Sequence, residues 1–178
     1  MQYLLSLLPT LNFELTALTL QLYQTPMYTK EEVSKLRQKF WTSFGQYMKP
    51  VPGASGEAVN WLNYKTGIRN IFFRMNADKE NAMVSIEIRH PKDTDRLKYY
   101  DHFVMLKNLL EQSTNYQWQW QPAVEDENGQ LISRIYQQLE NVTVLNEADW
   151  PAIIAFLKPR IMSLDAFWEM AKDGVEML

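Results

Sequence analysis

Lys65, Arg69, Arg74 and Arg89 crowd one short stretch of a chain that is acidic as a whole. Cations gathered this way can hold a phosphate-bearing ligand, because each phosphate they neutralise releases condensed counterions. Lys35, Arg37 and Lys39 can join the same patch from the segment before it. The wider charge pattern agrees. Residues 30–107 carry fourteen Lys/Arg against nine Asp/Glu, whereas residues 108–178 carry four against eleven. The net charge is −3 and the sequence pI about 5.5, far below the value of about 9 that marks a strongly basic nucleic-acid-binding domain. Binding through such a face is therefore expected to be weak and local, the more so because Glu31, Glu32 and Glu57 dilute the field.

Covalent chemistry has fewer candidates. The chain has no cysteine, which removes thiolate nucleophiles, disulfides and thiolate metal sites together and fits a reducing cytoplasm. His90 and His102 are the only histidines, too few for a His-rich metal centre. No P-loop, dinucleotide-binding glycine fingerprint, Gly-x-Ser-x-Gly elbow or His-Glu-x-x-His is present. The run Tyr116-Gln117-Trp118-Gln119-Trp120-Gln121 offers aromatic faces of the kind that stack on bases. Its strict alternation instead puts Tyr116, Trp118 and Trp120 on one side of a strand, facing the core. The residues therefore predict no catalytic group, no metal site and no cofactor.

The elements that must position these residues follow from periodicity. Thr29 and Glu32 form a capping box, and Val33, Leu36, Phe40, Phe44 and Tyr47 mark one helical face ending near Met48, before Pro50, Pro52 and Gly53. Three strand-like runs come next: Val59–Tyr64, Arg69–Asn76 and Ala82–Arg89. They are separated by turns at Lys65-Thr66-Gly67 and Asp78–Asn81. Val84, Ile86 and Ile88 alternate with Ser85, Glu87 and Arg89, so one face is core and the other polar and partly basic. Asp93 is placed to cap a helix reaching about Gln112. Asn128-Gly129 should fold Gln117–Val124 onto Ile132–Leu139. With those two as the turn residues, Trp118 lies opposite Leu139 and Trp120 opposite Gln137. The end is helical and apolar, with Pro159 expected to split or kink it and Gly174 to stop it. The class is α+β, one domain of order α-βββ-α-ββ-α, with a mostly antiparallel sheet packed by helices.

That order loosely resembles restriction-endonuclease-like nucleases. The resemblance implies an Asp in one hairpin strand and a Glu-x-Lys in the next as metal ligands; here the counterparts are Asp78 and Glu87-Ile88-Arg89. Arg89 stands where the Lys belongs. At about 3.3 Å per residue, Asp78 in its turn and Glu87 far along its strand are roughly 25–30 Å apart, too far to share one ion. Glu87 reads better as a cross-strand partner of Arg74 or a solvated strand residue.

Several blocks together are similar to the bacterial domain-of-unknown-function family 4268. They are Lys39–Gly45, Val59–Gly67, Asp126–Gly129 with Ile132–Tyr136, and Asp149–Pro151 through Lys158–Arg160 to Phe167-Trp168. The resemblance covers about residues 28–168. It implies no activity and no catalytic residues; related domains joined to nuclease-like domains imply an association with nucleic acid.

Residues 1–26 hold no Lys or Arg, and Leu4, Leu8, Leu11, Leu15, Leu18 and Leu22 space out an amphipathic seam. Asn12, Glu14 and Thr16 interrupt it, so it makes a poor signal peptide or membrane span. The expectation is an N-terminal extension outside the native fold, with residues 27–178 forming the domain. The resulting reading is a cytoplasmic, non-catalytic binding or interaction domain, with nucleic acid bound through the basic face, or else a protein partner or a second copy of itself, and no membrane. A metal-dependent nuclease-like enzyme with a degenerate site is the first alternative, and a structural or oligomerisation domain the second.

Overall fold

A computed structural model of the chain describes residues 28–178. The expectations about residues 1–26 lie outside the described residues. Contacts divide the chain into residues 1–34 and 35–178. In the first unit the capping box forms: the Thr29 amide donates to Glu32 Oε2 at 2.8 Å and the Glu32 amide to Thr29 Oγ1 at 3.2 Å. The helix it opens, α1, is Lys30–Met48.

Residues 35–178 carry an antiparallel four-stranded sheet with helices on one face. Its strands are β1 (Ile71–Ala77), β2 (Asn81–Ile88), β3 (Gln119–Glu125) and β4 (Leu131–Glu140), in the order β1-β2-β4-β3. Helices α2 (Asp93–Met105) and α3 (Lys107–Thr114) connect the two hairpins, and α4 (Trp150–Glu176) closes the chain. The α+β class and the antiparallel sheet packed by helices are those the periodicity predicts. No helix among the described residues is long and apolar enough to cross a membrane.

Register explains the two faces. Ile71, Phe73 and Met75 pair with Ile88, Ile86 and Val84, and Ile86 pairs in turn with Ile135. These side chains, nearly all fully buried, meet Phe103, Leu157, Ile161, Leu164 and Trp168 in the core. Phe73 packs edge-on to Trp168 at 5.2 Å between centroids. The opposite face holds Phe72, Arg74, Ser85, Glu87, Arg134 and Tyr136 at paired positions. On α1 the buried residues are Phe40, Phe44 and Met48, one every four residues, whereas Tyr47, expected on that face, is 49% exposed.

Four local expectations are corrected. Val59–Tyr64 is not a strand: Asn60 Oδ1 accepts the Asn63 amide and closes a 3₁₀ turn over Trp61–Asn63, whose Trp61 indole donates to the Val51 carbonyl at 2.8 Å. The helix after Asp93 breaks at Leu106, and Asp93 is its first residue rather than its cap. Pro159 does not split α4 and Gly174 does not stop it: both lie inside a helix that runs on for 27 residues. Burial of Ile153, Leu157, Ile161, Leu164 and Trp168 along one stripe outweighs a single missing backbone donor. The second hairpin also slips: Trp120 faces Ile135, not Gln137. Gly129 takes φ +74 in a three-residue loop, and its amide donates to the Asp126 carbonyl. A further bulge falls between Gln121 and Val124, where Pro122 has no amide to donate. Two one-residue slips keep Trp118 and Trp120 on the core side. Trp118 is buried, and Tyr116 and Trp120 pack half-buried against the core.

Candidate functional site

The turn before β1 is bolted to α4 from several directions. Thr66 Oγ1 donates to the Ile71 carbonyl at 2.8 Å, and the Trp168 indole donates to the Thr66 carbonyl at 2.8 Å. One helical turn earlier, Asp165 is 4% exposed. It accepts the Tyr64 hydroxyl on Oδ1 and the Ala54 amide on Oδ2, each at 2.6 Å. Burial, then the bond and charge of Asp165, push the Tyr64 hydroxyl well above its ordinary pKa. Asp165, Trp168 and Lys172 share a face of α4 by their spacing of three and four, so the same face that anchors the turn also delivers a lysine to it.

Around this anchored turn lies a depression of about 370 Å³, lined among others by Lys65, Gly67, Arg69, Phe72 and Arg74. Lys65, Arg69 and Arg74 are exposed, and none of the three forms an ion pair with another described residue. The Arg74 guanidinium lies 4.7 Å from the Phe72 ring centroid. Gly67 takes φ +82, which only glycine adopts without strain. A Cβ placed there would stand 3.1 Å from Lys172 Nζ, so a fourth cation sits behind the turn. Sequence reasoning missed Lys172. Its spacing from Trp168 was visible, but nothing local told which loop α4 meets.

Arg89 does not belong to this set. It extends from the end of β2 and bonds Glu87 Oε2 at 2.7 Å and Asp126 Oδ2 at the tip of the second hairpin. Two carboxylates cancel its charge, so it ties the hairpins together rather than offering a free cation. Lys39 is also occupied: it bonds Glu147 at 2.5 Å and lies over the Trp150 ring.

The carboxylates of the nuclease comparison have separate partners. Asp78 Oδ1 accepts the amides of Glu80 and Asn81 in the β1–β2 turn. Glu87, 8% exposed, is held by Arg89 and by Arg134 at 3.6 Å. Arg134, not Arg74, is its cross-strand partner, because β4 lies against β2 and puts Arg134 opposite Glu87 while Arg74 faces Ser85. Asp78 sits beside Asn81, so the two carboxylates are about six strand residues apart, roughly 20 Å. They line one furrow of about 390 Å³ on the open face. Among the described residues no group of three His, Asp or Glu side chains stands ready to hold a metal.

His90 follows Arg89 and stacks on Tyr99 at 4.5 Å between centroids. Burial lowers its pKa, Arg69 lowers it further, and Asp95 opposes both.

A family model described as Domain of unknown function (DUF4268) matches residues 36–172. The chain belongs to the DUF4268 family. The DUF4268 span takes in Lys65, Arg69 and Arg74 and ends on Lys172. No curated protein and no solved structure matches the chain.

Proposed function

We propose that this DUF4268 domain is a binding module that takes a phosphate-bearing ligand, nucleic acid, in the depression around Gly67. The observation that carries the reading is the grouping of Lys65, Arg69 and Arg74 in one concavity without carboxylate partners among the described residues. Unpaired cations around a rigid turn attract phosphate at no cost in broken ion pairs. The acidic pI limits the attraction to this spot, so binding is weak and strongly salt-dependent.

A fluorescence anisotropy titration of labelled nucleic acid against salt tests this. Three phosphate contacts predict a slope of log affinity against log salt of about −2 to −3. Arg69→Ala or Arg74→Ala should reduce that slope by about one each. Arg89→Gln should leave it unchanged, since Arg89 is already paired. Absence of binding at low salt, or a slope insensitive to Arg69→Ala, sinks the proposal.

A further inference from the structure

Phe72 is the aromatic residue in the basic depression that points out of the core: it pairs with Glu87 on the open face and is half-buried. The depression thus holds a ring face and cations together. Arg74 covers part of that ring, and it is also the shared wall between the basic depression and the neighbouring furrow. The furrow is acidic on balance, lined by five carboxylates and three arginines. Asp78, Glu125, Asp126 and Glu127 rim it, and it holds the amides Asn76, Asn81 and Asn128.

We propose, resting on the phosphate reading above, that the ligand is single-stranded nucleic acid. One phosphate sits in the depression among Lys65, Arg69 and Arg74. The adjoining base lies on the Phe72 ring and turns its edge toward the near end of the furrow, by Glu87. Three observations select a single strand over a duplex. A ring at the floor of a shallow depression reaches only an unstacked base. A duplex carries a regular file of phosphates and needs a basic stripe to match, whereas here the carboxylates begin immediately beyond Arg74. Neutral base edges, unlike phosphates, are compatible with that acidic rim. The footprint is consequently short, with a low salt slope, and affinity depends on the ring as much as on charge.

The test uses the full chain with labelled oligothymidylate and a duplex of the same length at low salt. The single strand should bind at least about tenfold tighter than the duplex. Phe72→Leu should weaken single-strand binding by roughly 5- to 150-fold, the range for loss of one stacked base, without changing the salt slope, and Phe72→Tyr should restore it. Ultraviolet cross-linking of the unaltered chain, read by peptide mass spectrometry, should place the adduct on the peptide containing Phe72, which requires no variant to fold. Equal binding of duplex and single strand, parent-like binding by Phe72→Leu, or an adduct elsewhere overturns the single-strand proposal. If Arg69→Ala still weakens binding in that case, the phosphate reading survives alone. If neither Arg69→Ala nor Phe72→Leu has an effect, both fall.

Discussion

Replacing Asp165 by alanine tests whether the basic turn is held by the buried carboxylate rather than by its own local geometry. Asp165 accepts two short hydrogen bonds, from the Tyr64 hydroxyl and the Ala54 amide, and both donors come from the segment between α1 and β1. Hydrogen bonds to a charged acceptor contribute about 1.5–3 kcal/mol each. Removing the acceptor also leaves the half-buried Tyr64 hydroxyl and the amide of the exposed Ala54 facing an apolar methyl group. Against this stands the desolvation of the carboxylate itself, which alanine relieves. The net expectation for Asp165→Ala is a loss of about 3–5 kcal/mol. At about 2–4 °C per kcal/mol for a chain of this size, the melting temperature falls by roughly 6–20 °C. Asp165→Asn retains one acceptor oxygen and should lose about half as much.

The assay is thermal and urea denaturation of the parent, Asp165→Ala, Asp165→Asn and Tyr64→Phe chains, repeated across alkaline pH. Tyr64 has a folded-state pKa above its ordinary value of about 10. Its contribution is therefore complete below about pH 10 and is lost as pH rises through the folded value. The parent should show an alkaline decline that Tyr64→Phe lacks. An Asp165→Ala chain that melts within about 2 °C of the parent would refute the reasoning, because the turn would then hold its shape without the carboxylate.

Three further outcomes follow from the geometry. His90 should titrate below 6.5 by NMR, and Arg69→Ala should raise its midpoint, since Arg69 is one of the charges that lowers it; an unmoved midpoint separates the two residues. Because its pKa is lowered on folding, His90 contributes stability above about pH 6.5 that is lost as pH falls through the folded value, so His90→Gln should flatten the acid limb of a stability profile. Arg96 is 2% exposed and donates to Ser133 Oγ at 2.6 Å, to the Pro122 carbonyl and to Asp93; Arg96→Met should cost about 2–4 kcal/mol in urea denaturation. Gly67→Ala should cost about 1–2 kcal/mol for its left-handed backbone and weaken nucleic-acid binding by displacing Lys172, whereas a melt like the parent's would show that the turn relaxes freely.

The alternation of Ile71, Phe73 and Met75 and of Val84, Ile86 and Ile88 was enough to assign two strands and their buried faces, because side-chain direction along a strand is a local property. The capping box of Thr29 and Glu32 was legible for the same reason. What failed was non-local or depended on compensation. Glu87 reads from the sequence as a partner of Arg74 or a solvated residue, because only β1 is expected beside β2; that β4 lies on its other side, bringing Arg134, follows from topology. Val59–Tyr64 has the composition of a strand, yet its Asn60 cap and the Trp61–Val51 bond curl it into a turn. Pro159 has a definite local cost, and only the burial of a whole helix face outweighs it. At the site, three of the four proposed cations do meet. The fourth, Arg89, is committed to carboxylates, of which Asp126 is 37 residues away, and the missed one, Lys172, arrives from the other end of the chain.

The pairing of β2 with β4 has a consequence for how the chain acquires its structure. Each hairpin is local in sequence, but the seam between them joins residues such as Ser85 and Tyr136, separated by about fifty positions. Two-stranded hairpins are marginal in water on their own, and their apolar faces here are completed only when α4, which follows both of them in the chain, covers them. The seam and the final helix must therefore form together, and the loop closure they require makes that the slow step. In a fold built this way β2 stays unpaired on one edge until β4 has formed and α4 covers the seam.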